Sequence, residues 1–208
     1  MAGRALSELL AAAEELRARE RAEFARRLHD EAGGRLTAAA IDLTLLRMDA
    51  PPELQAQMQS LEQKLELAFE SVRGVSLAAA PDLAARIPLA EAISKLGESV
   101  LRNFNGRLEI SVDSEYCPGA DLSLALFRIV ELLVSYLAFE ANARVIGVTV
   151  GAGPRVTAWG NAVISREAAG RNLEIALARY HSLKHNLRFM LGSRDSASTI
   201  FVIGGQEE

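Results

Sequence analysis

The stretch "FARRLHDEAGGRLTAAA", residues 24–40, decides how the chain is read. Phe24, Leu28, Ala32, Leu36 and Ala39 recur at spacings of three and four, which makes an apolar stripe along a helix. A histidine and an aspartate, His29 and Asp30, stand inside this stripe, followed by two adjacent glycines, Gly33 and Gly34. His29 directly follows the seam residue Leu28, which places it beside the apolar face and within reach of solvent. The glycine pair weakens a helix by up to ~2 kcal/mol relative to alanines and so permits a bend or bulge below the histidine. Close packing of a partner helix is the other reason for glycines at such a place.

The same period extends outward on both sides. Leu6, Leu9, Ala13 and Leu16 precede the stretch, and Leu43 and Leu46 follow it. From Arg4 to Met48 there is no proline, and the only glycines are the adjacent pair. "DAPPEL" ends the helix, because Pro51 and Pro52 cannot continue it and push the preceding residue out of the α region. The stripe resumes with Leu54, Met58, Leu61, Leu65, Ala68, Val72 and Val75. Residues 1–80 are therefore expected to form an antiparallel helical hairpin. Two seams leave one face of the pair uncovered. A second copy closing a four-helix bundle, hence a homodimer, is the preferred reading over cover by the rest of the same chain.

Beyond Pro81 the pattern changes. "LAEAISKLGESVLRNF" predicts a helix with Leu89, Ile93, Leu96, Val100 and Phe104 inward, and "GRLEISVD" a half-buried strand alternating at Leu108, Ile110 and Val112. "DLSLALFRIVELLVSYLAFEA" reads as a largely buried helix with Asp121 as its N-cap. "RVIGVTV" and "RVTAW" read as strands, and "REAAGRNLEIALARYHSLKHN" as one helix. "LRFML" and "TIFVI" form a terminal hairpin around "GSRDSAS". The expected fold class is α+β: the helical hairpin, then an α/β two-layer domain over residues 81–208 with helices on one face of its sheet.

Bulk properties narrow the function. A formal charge of −4 over 208 residues argues against a dedicated nucleic-acid binder. No apolar run reads as a membrane span, and "MAGRALSELL" lacks a signal-peptide pattern, so no membrane insertion is expected. The single cysteine, Cys117, cannot form an internal disulfide, and a cytoplasmic location follows. The histidines His29, His181 and His185 lack metal-site spacing, and the last two, one turn apart, read as surface residues.

"ERAEFARRLHDEAGGRLTAAAIDLTLLR" resembles the dimerisation and phosphoacceptor helix of two-component sensor histidine kinases of the nitrate-sensor and desaturase-sensor type. Glu20, Arg21, Ala25, Arg26, Leu28, His29, Asp30, Gly33, Leu36 and Thr37 match that pattern in register. "ALFRIVELLVSYLAFEANARVIGVTV" is similar to the start of the same family's ATP-binding domain, a GHKL or Bergerat-like fold. The resemblance implies that His29 is the phosphorylated residue and Asp30 the carboxylate that orients it. A carboxylate accepting the proton of one ring nitrogen fixes the tautomer and leaves the other nitrogen as nucleophile. Neighbouring helix positions do not face each other, so this contact needs a favourable rotamer. Arg26 and Arg27 lie close enough to favour a phosphoryl anion or an acidic partner site.

The second half departs from the family. Aligned on "FRIV", the glutamate and magnesium-binding asparagine of the family's asparagine box fall on Leu132 and Tyr136. A register slip of one makes Glu131 the glutamate but supplies no asparagine. The adenine-binding aspartate and second glycine of an Asp-x-Gly-x-Gly element fall on Ala158 and Ala162, with Gly160 kept. A later glycine element retains only Gly170, and the terminal glycine-rich turn is "RDSAS". Trp159 is expected to plug the vacated pocket. A hydrogen bond to a charged group contributes ~1.5–3 kcal/mol, so losing the adenine contact alone weakens binding roughly 10–100-fold. Losing the magnesium ligand removes further affinity and the charge stabilisation of phosphoryl transfer. No cofactor is therefore expected: ATP is not bound, and magnesium comes from a partner receiver domain.

Members with phosphatase activity carry a glutamine five residues after the histidine, where this chain has Gly34, which puts that activity in doubt. The combination resembles dimeric histidine phosphotransferases, which relay a phosphoryl group between response-regulator aspartates, here through His29 and without autokinase activity. A non-catalytic protein that sequesters a response regulator is the second reading, and a sensor kinase with a divergent ATP site the third.

Overall fold

The computed structural model describes residues 2–78, 87–151 and 153–205. Their contacts separate two compact units, Leu16–Pro81 and Met1–Glu15 together with Asp82–Glu208.

The first unit is the helical hairpin from Leu16 onward, the start of its first helix being counted with the second unit. Helix α1 (Ala2–Arg27) passes into a π-helical turn at Leu28–Gly33, and α2 (Gly34–Asp49) continues from it. The long helix widens by a π-helical turn that ends at the glycine pair, the place where the sequence permits a bend or bulge. The chain then turns at Ala50, whose backbone is extended (φ −76°, ψ 137°), and α3 (Pro52–Ala78) starts on a proline. The missing N–H of Pro52 costs nothing in a first helical turn. Gln55 closes the corner, its amide donating to the carbonyls of Ala50 (3.0 Å) and Arg47 (3.3 Å). Arg47 pairs with Glu62 across the hairpin at 2.7 Å. Leu28, Leu36, Leu43, Met58, Leu65 and Val72 are half-buried, whereas Phe24, Ile41, Leu45, Leu46, Leu61 and Leu67 are exposed.

The second unit is a five-stranded sheet in the order β1-β2-β3-β5-β4. The strands are β1 (Arg107–Val112), β2 (Val145–Gly151), β3 (Arg155–Gly160), β4 (Arg188–Asp195) and β5 (Ser198–Gly204). β1 and β2 are parallel and the other pairs antiparallel. Helices α4 (Leu89–Leu101), α5 (Ala120–Ser135), α6 (Arg166–Arg171) and α7 (Leu173–Lys184) complete the unit.

α5 is the core helix. Leu126, Ile129, Val130 and Leu133 are fully buried with Ile93 of α4, Leu177 of α7, and Ile146, Val156 and Ile203 of the sheet. Burial of each such side chain stabilises the unit by about 1.5–3 kcal/mol. β1 alternates as expected, and Gly97 lets α4 sit on it: a Cβ there would lie 2.5 Å from Ile110 Cδ1. Leu10 of α1 packs on the same core.

Three expectations need correction. α5 begins at Ala120 with Gly119 in the cap position, so Asp121 lies in the first turn, where its charge suits the helix dipole, and is no cap. The expected helix over 166–186 breaks at Asn172, whose side chain accepts from Ile175 N–H and starts α7 afresh. A segment with the length and hydropathy of a membrane span does exist: Ala120–Glu140 has a mean hydropathy of 1.9, and it is mostly buried in the core of this unit.

Candidate functional site

His29 and Asp30 lie in the π-helical turn, and both are exposed. The turn ends at Gly33 and Gly34, residues of low helix propensity, where a departure from the α-helical hydrogen-bond ladder costs least. The Gly34 N–H reaches back to the carbonyls of both Asp30 and Glu31. Thr37 Oγ1 donates to the Gly33 carbonyl at 2.9 Å and steadies the start of α2. A π-turn carries its side chains off the line of the flanking helix, a common feature of functional positions. No hydrogen bond joins His29 to Asp30 among the described residues. Their sequence adjacency turns the two side chains apart, and a rotamer change would be needed to bring them together. Of the arginines beside them, Arg27 is ion-paired with Glu23, and Arg26 donates its Nε–H to the Ala22 carbonyl at 3.2 Å.

In the α/β unit, the positions aligned with nucleotide ligands carry apolar or engaged side chains. Leu132 and Tyr136 are buried, and Tyr136 stands edge-on to Phe201 with ring centroids 6.3 Å apart. Burial pushes the Tyr136 phenol above its ordinary pKa, and the Glu140 carboxylate adds to the shift. Glu131 is held by Arg128 at 2.6 Å. Ala158 is fully buried on the helix side of β3. Asn161 Oδ1 accepts from the backbone N–H groups of Arg144 and Val145, both at 2.8 Å, so it organises the start of β2. Asn172, besides capping α7, donates to Glu140.

Trp159 does not plug this region. Along β3 the buried residues are Val156, Ala158 and Gly160, so Trp159 points to the opposite face of the sheet. There its indole covers Gly147, and the Arg194 guanidinium sits 4.0 Å from the ring centroid. His181 Nε2 lies 3.4 Å from Glu14, whose carboxylate also approaches buried Arg128 at 3.8 Å. Nothing in the local pattern points to this cluster, because Glu14 is distant in sequence from both partners. His185 is held below its ordinary pKa of 6.5, first by burial and then by the Lys184 and His181 charges.

Residues 20–83, which carry His29 and Asp30, match the HisKA_3 family, described as Histidine kinase. No curated protein matches the chain in sequence. Among solved structures, the Erythrobacter litoralis EL346 blue-light activated histidine kinase is 14% identical with a TM-score of 0.50, over 73% of this chain and 60% of that one. The histidine kinase domain from the same protein gives a TM-score of 0.49 at 13% identity, over 82% and 93% of the two chains. A bacterial phosphotransferase gives a TM-score of 0.50 at 8% identity, over 93% and 95%. These likenesses are of fold.

Proposed function

We propose that this two-component signalling protein is a histidine phosphotransferase that relays a phosphoryl group between response-regulator aspartates through His29. The observation that supports this reading is an asymmetry. The histidine is open to solvent on a π-turn, whereas Leu132, Tyr136 and Ala158 fill the aligned nucleotide-ligand positions with buried, non-ionised groups. Ala158 offers no acceptor for an adenine amino group, and neither Leu132 nor Tyr136 offers a magnesium ligand of the carboxylate or amide type.

In the forward step a ring nitrogen of His29 attacks the phosphorus of a receiver's acyl phosphate. The N–P bond forms, the P–O bond to the aspartate breaks, and the aspartate leaves as carboxylate. The other ring nitrogen keeps its proton, and Asp30, once rotated toward it, accepts that hydrogen bond. A second receiver's aspartate then reverses the step. Magnesium belongs to the receivers, and this chain supplies the nucleophile and its orientation.

The exposed Phe24, Ile41, Leu45, Leu46, Leu61 and Leu67 support a homodimer, in which a second copy covers them to complete a four-helix bundle. The test mixes purified protein with a phosphorylated receiver. Label moves to the chain and is lost in His29→Ala; an unlabelled chain, or label that survives the substitution, overturns the reading.

A further inference from the structure

We propose that β1, an end strand of the sheet, pairs antiparallel with β1 of a second copy and so joins two α/β units through one continuous sheet. The backbone of the strand is turned for it. Arg107 N–H donates to the Arg144 carbonyl at 2.8 Å, and Asp113 N–H to the Val150 carbonyl at 2.9 Å. Arg107, Glu109, Ser111 and Asp113 therefore address β2, and alternation turns the N–H and C=O groups of Leu108, Ile110 and Val112 to the open side. Among the described strands nothing pairs there, and those three N–H groups have no hydrogen-bond partner among the described residues.

Edge strands are commonly blunted by a bulge, a proline or a lysine. β4, at the other end of the sheet, has such a break, because its register shifts between Ser193 and Asp195. β1 has none: its six residues pair with β2 in unbroken register and include neither proline nor lysine. On the helix side a groove of about 370 Å³ runs between β1 and α4, with Leu108, Ile110 and Val112 along one wall and Ala90, Gly97 and Leu101 along the other. The three β1 side chains are only half-buried, and Leu101 is exposed.

The charge pattern of the strand selects a second copy, in one register. A two-fold axis at Ile110 sets that residue against its own copy, Leu108 against Val112, Glu109 against Ser111 and Arg107 against Asp113. The apolar side chains then share the helix side of the sheet. On the other side two Arg107–Asp113 pairs form, and no like charges stand opposed. Arg107 already holds Glu109 of its own strand at 2.8 Å, and its guanidinium has further donors for a second carboxylate. Sliding by two residues sets Glu109 against Glu109 in one direction and against Asp113 in the other. A slip of one turns apolar side chains to the polar face. Such reciprocity is what a two-fold interface between identical chains requires.

Disulfide trapping in the full chain tests the proposal. The single native cysteine is removed by Cys117→Ser, and two separate variants carry Glu109→Cys or Ser111→Cys, both at exposed positions. In the proposed pairing these two positions face each other with Cα atoms about 4.5 Å apart, whereas like positions lie diagonally at roughly 7–8 Å, too far to bridge. When the two variants are co-expressed and mildly oxidised, the mixed link between them is expected to predominate over the like link within either. Its yield falls several-fold when Arg107→Asp is added and recovers with Arg107→Asp/Asp113→Arg; unchanged circular dichroism and melting establish that the variants fold. Absence of a linked dimer, predominance of either like link, or a yield indifferent to charge reversal each overturns the proposal.

Discussion

A Cβ added at Gly160 would lie 2.9 Å from Leu137 Cδ2 and 3.0 Å from the Ala143 methyl. Gly160 thus serves close packing here, because the π-helical turn at Tyr136–Glu140 brings Leu137 against the strand. Gly160→Ala is expected to destabilise the α/β unit by about 1–3 kcal/mol through overpacking. A lowered denaturant midpoint with unchanged slope checks it; an unchanged midpoint shows that Leu137 yields freely.

Gly34 behaves in the opposite way. A Cβ there meets nothing within 4 Å, and the backbone is helical (φ −60°, ψ −44°). Gly34→Ala is expected to stabilise the hairpin by roughly 0.5–1 kcal/mol. A rise in melting temperature confirms it. A fall would mean that a second chain packs against this glycine.

Gly147 is covered by the indole of Trp159, the only tryptophan of the chain. Gly147→Ala therefore has to lift the ring. Emission of the folded variant is expected to shift to longer wavelength, with loss of the contact to Arg194. An unshifted spectrum would place the indole elsewhere.

Acid is expected to destabilise the α/β unit through His185. Its folded pKa lies below 6.5, so the unfolded chain takes up the proton first. The associated stability is present above pH 6.5 and is lost as pH falls through the depressed value. Melting temperatures of wild type and His185→Gln should converge at low pH relative to their difference at neutral pH. Parallel curves would contradict the assignment.

Much of the architecture is legible locally. Pro51 and Pro52 stop the first helix, alternation marks β1, and the glycine pair marks the point where the helix widens. Two misses were also readable. Asn172, two residues before an acidic side chain, is a cap signal, and strict alternation from buried Ala158 sends Trp159 to the other face. The parallel pairing of β1 with β2, and the meeting of Glu14 with Arg128 and His181, depend on contacts between distant segments and leave no periodic trace.

The most direct test supplies two phosphoryl sources in parallel: radiolabelled ATP with magnesium, and a labelled phospho-receiver without ATP. His29 is expected to take label from the receiver and none from ATP. Label acquired from ATP by the protein alone would contradict the account, because the buried Leu132, Tyr136 and Ala158 would then line a working nucleotide site.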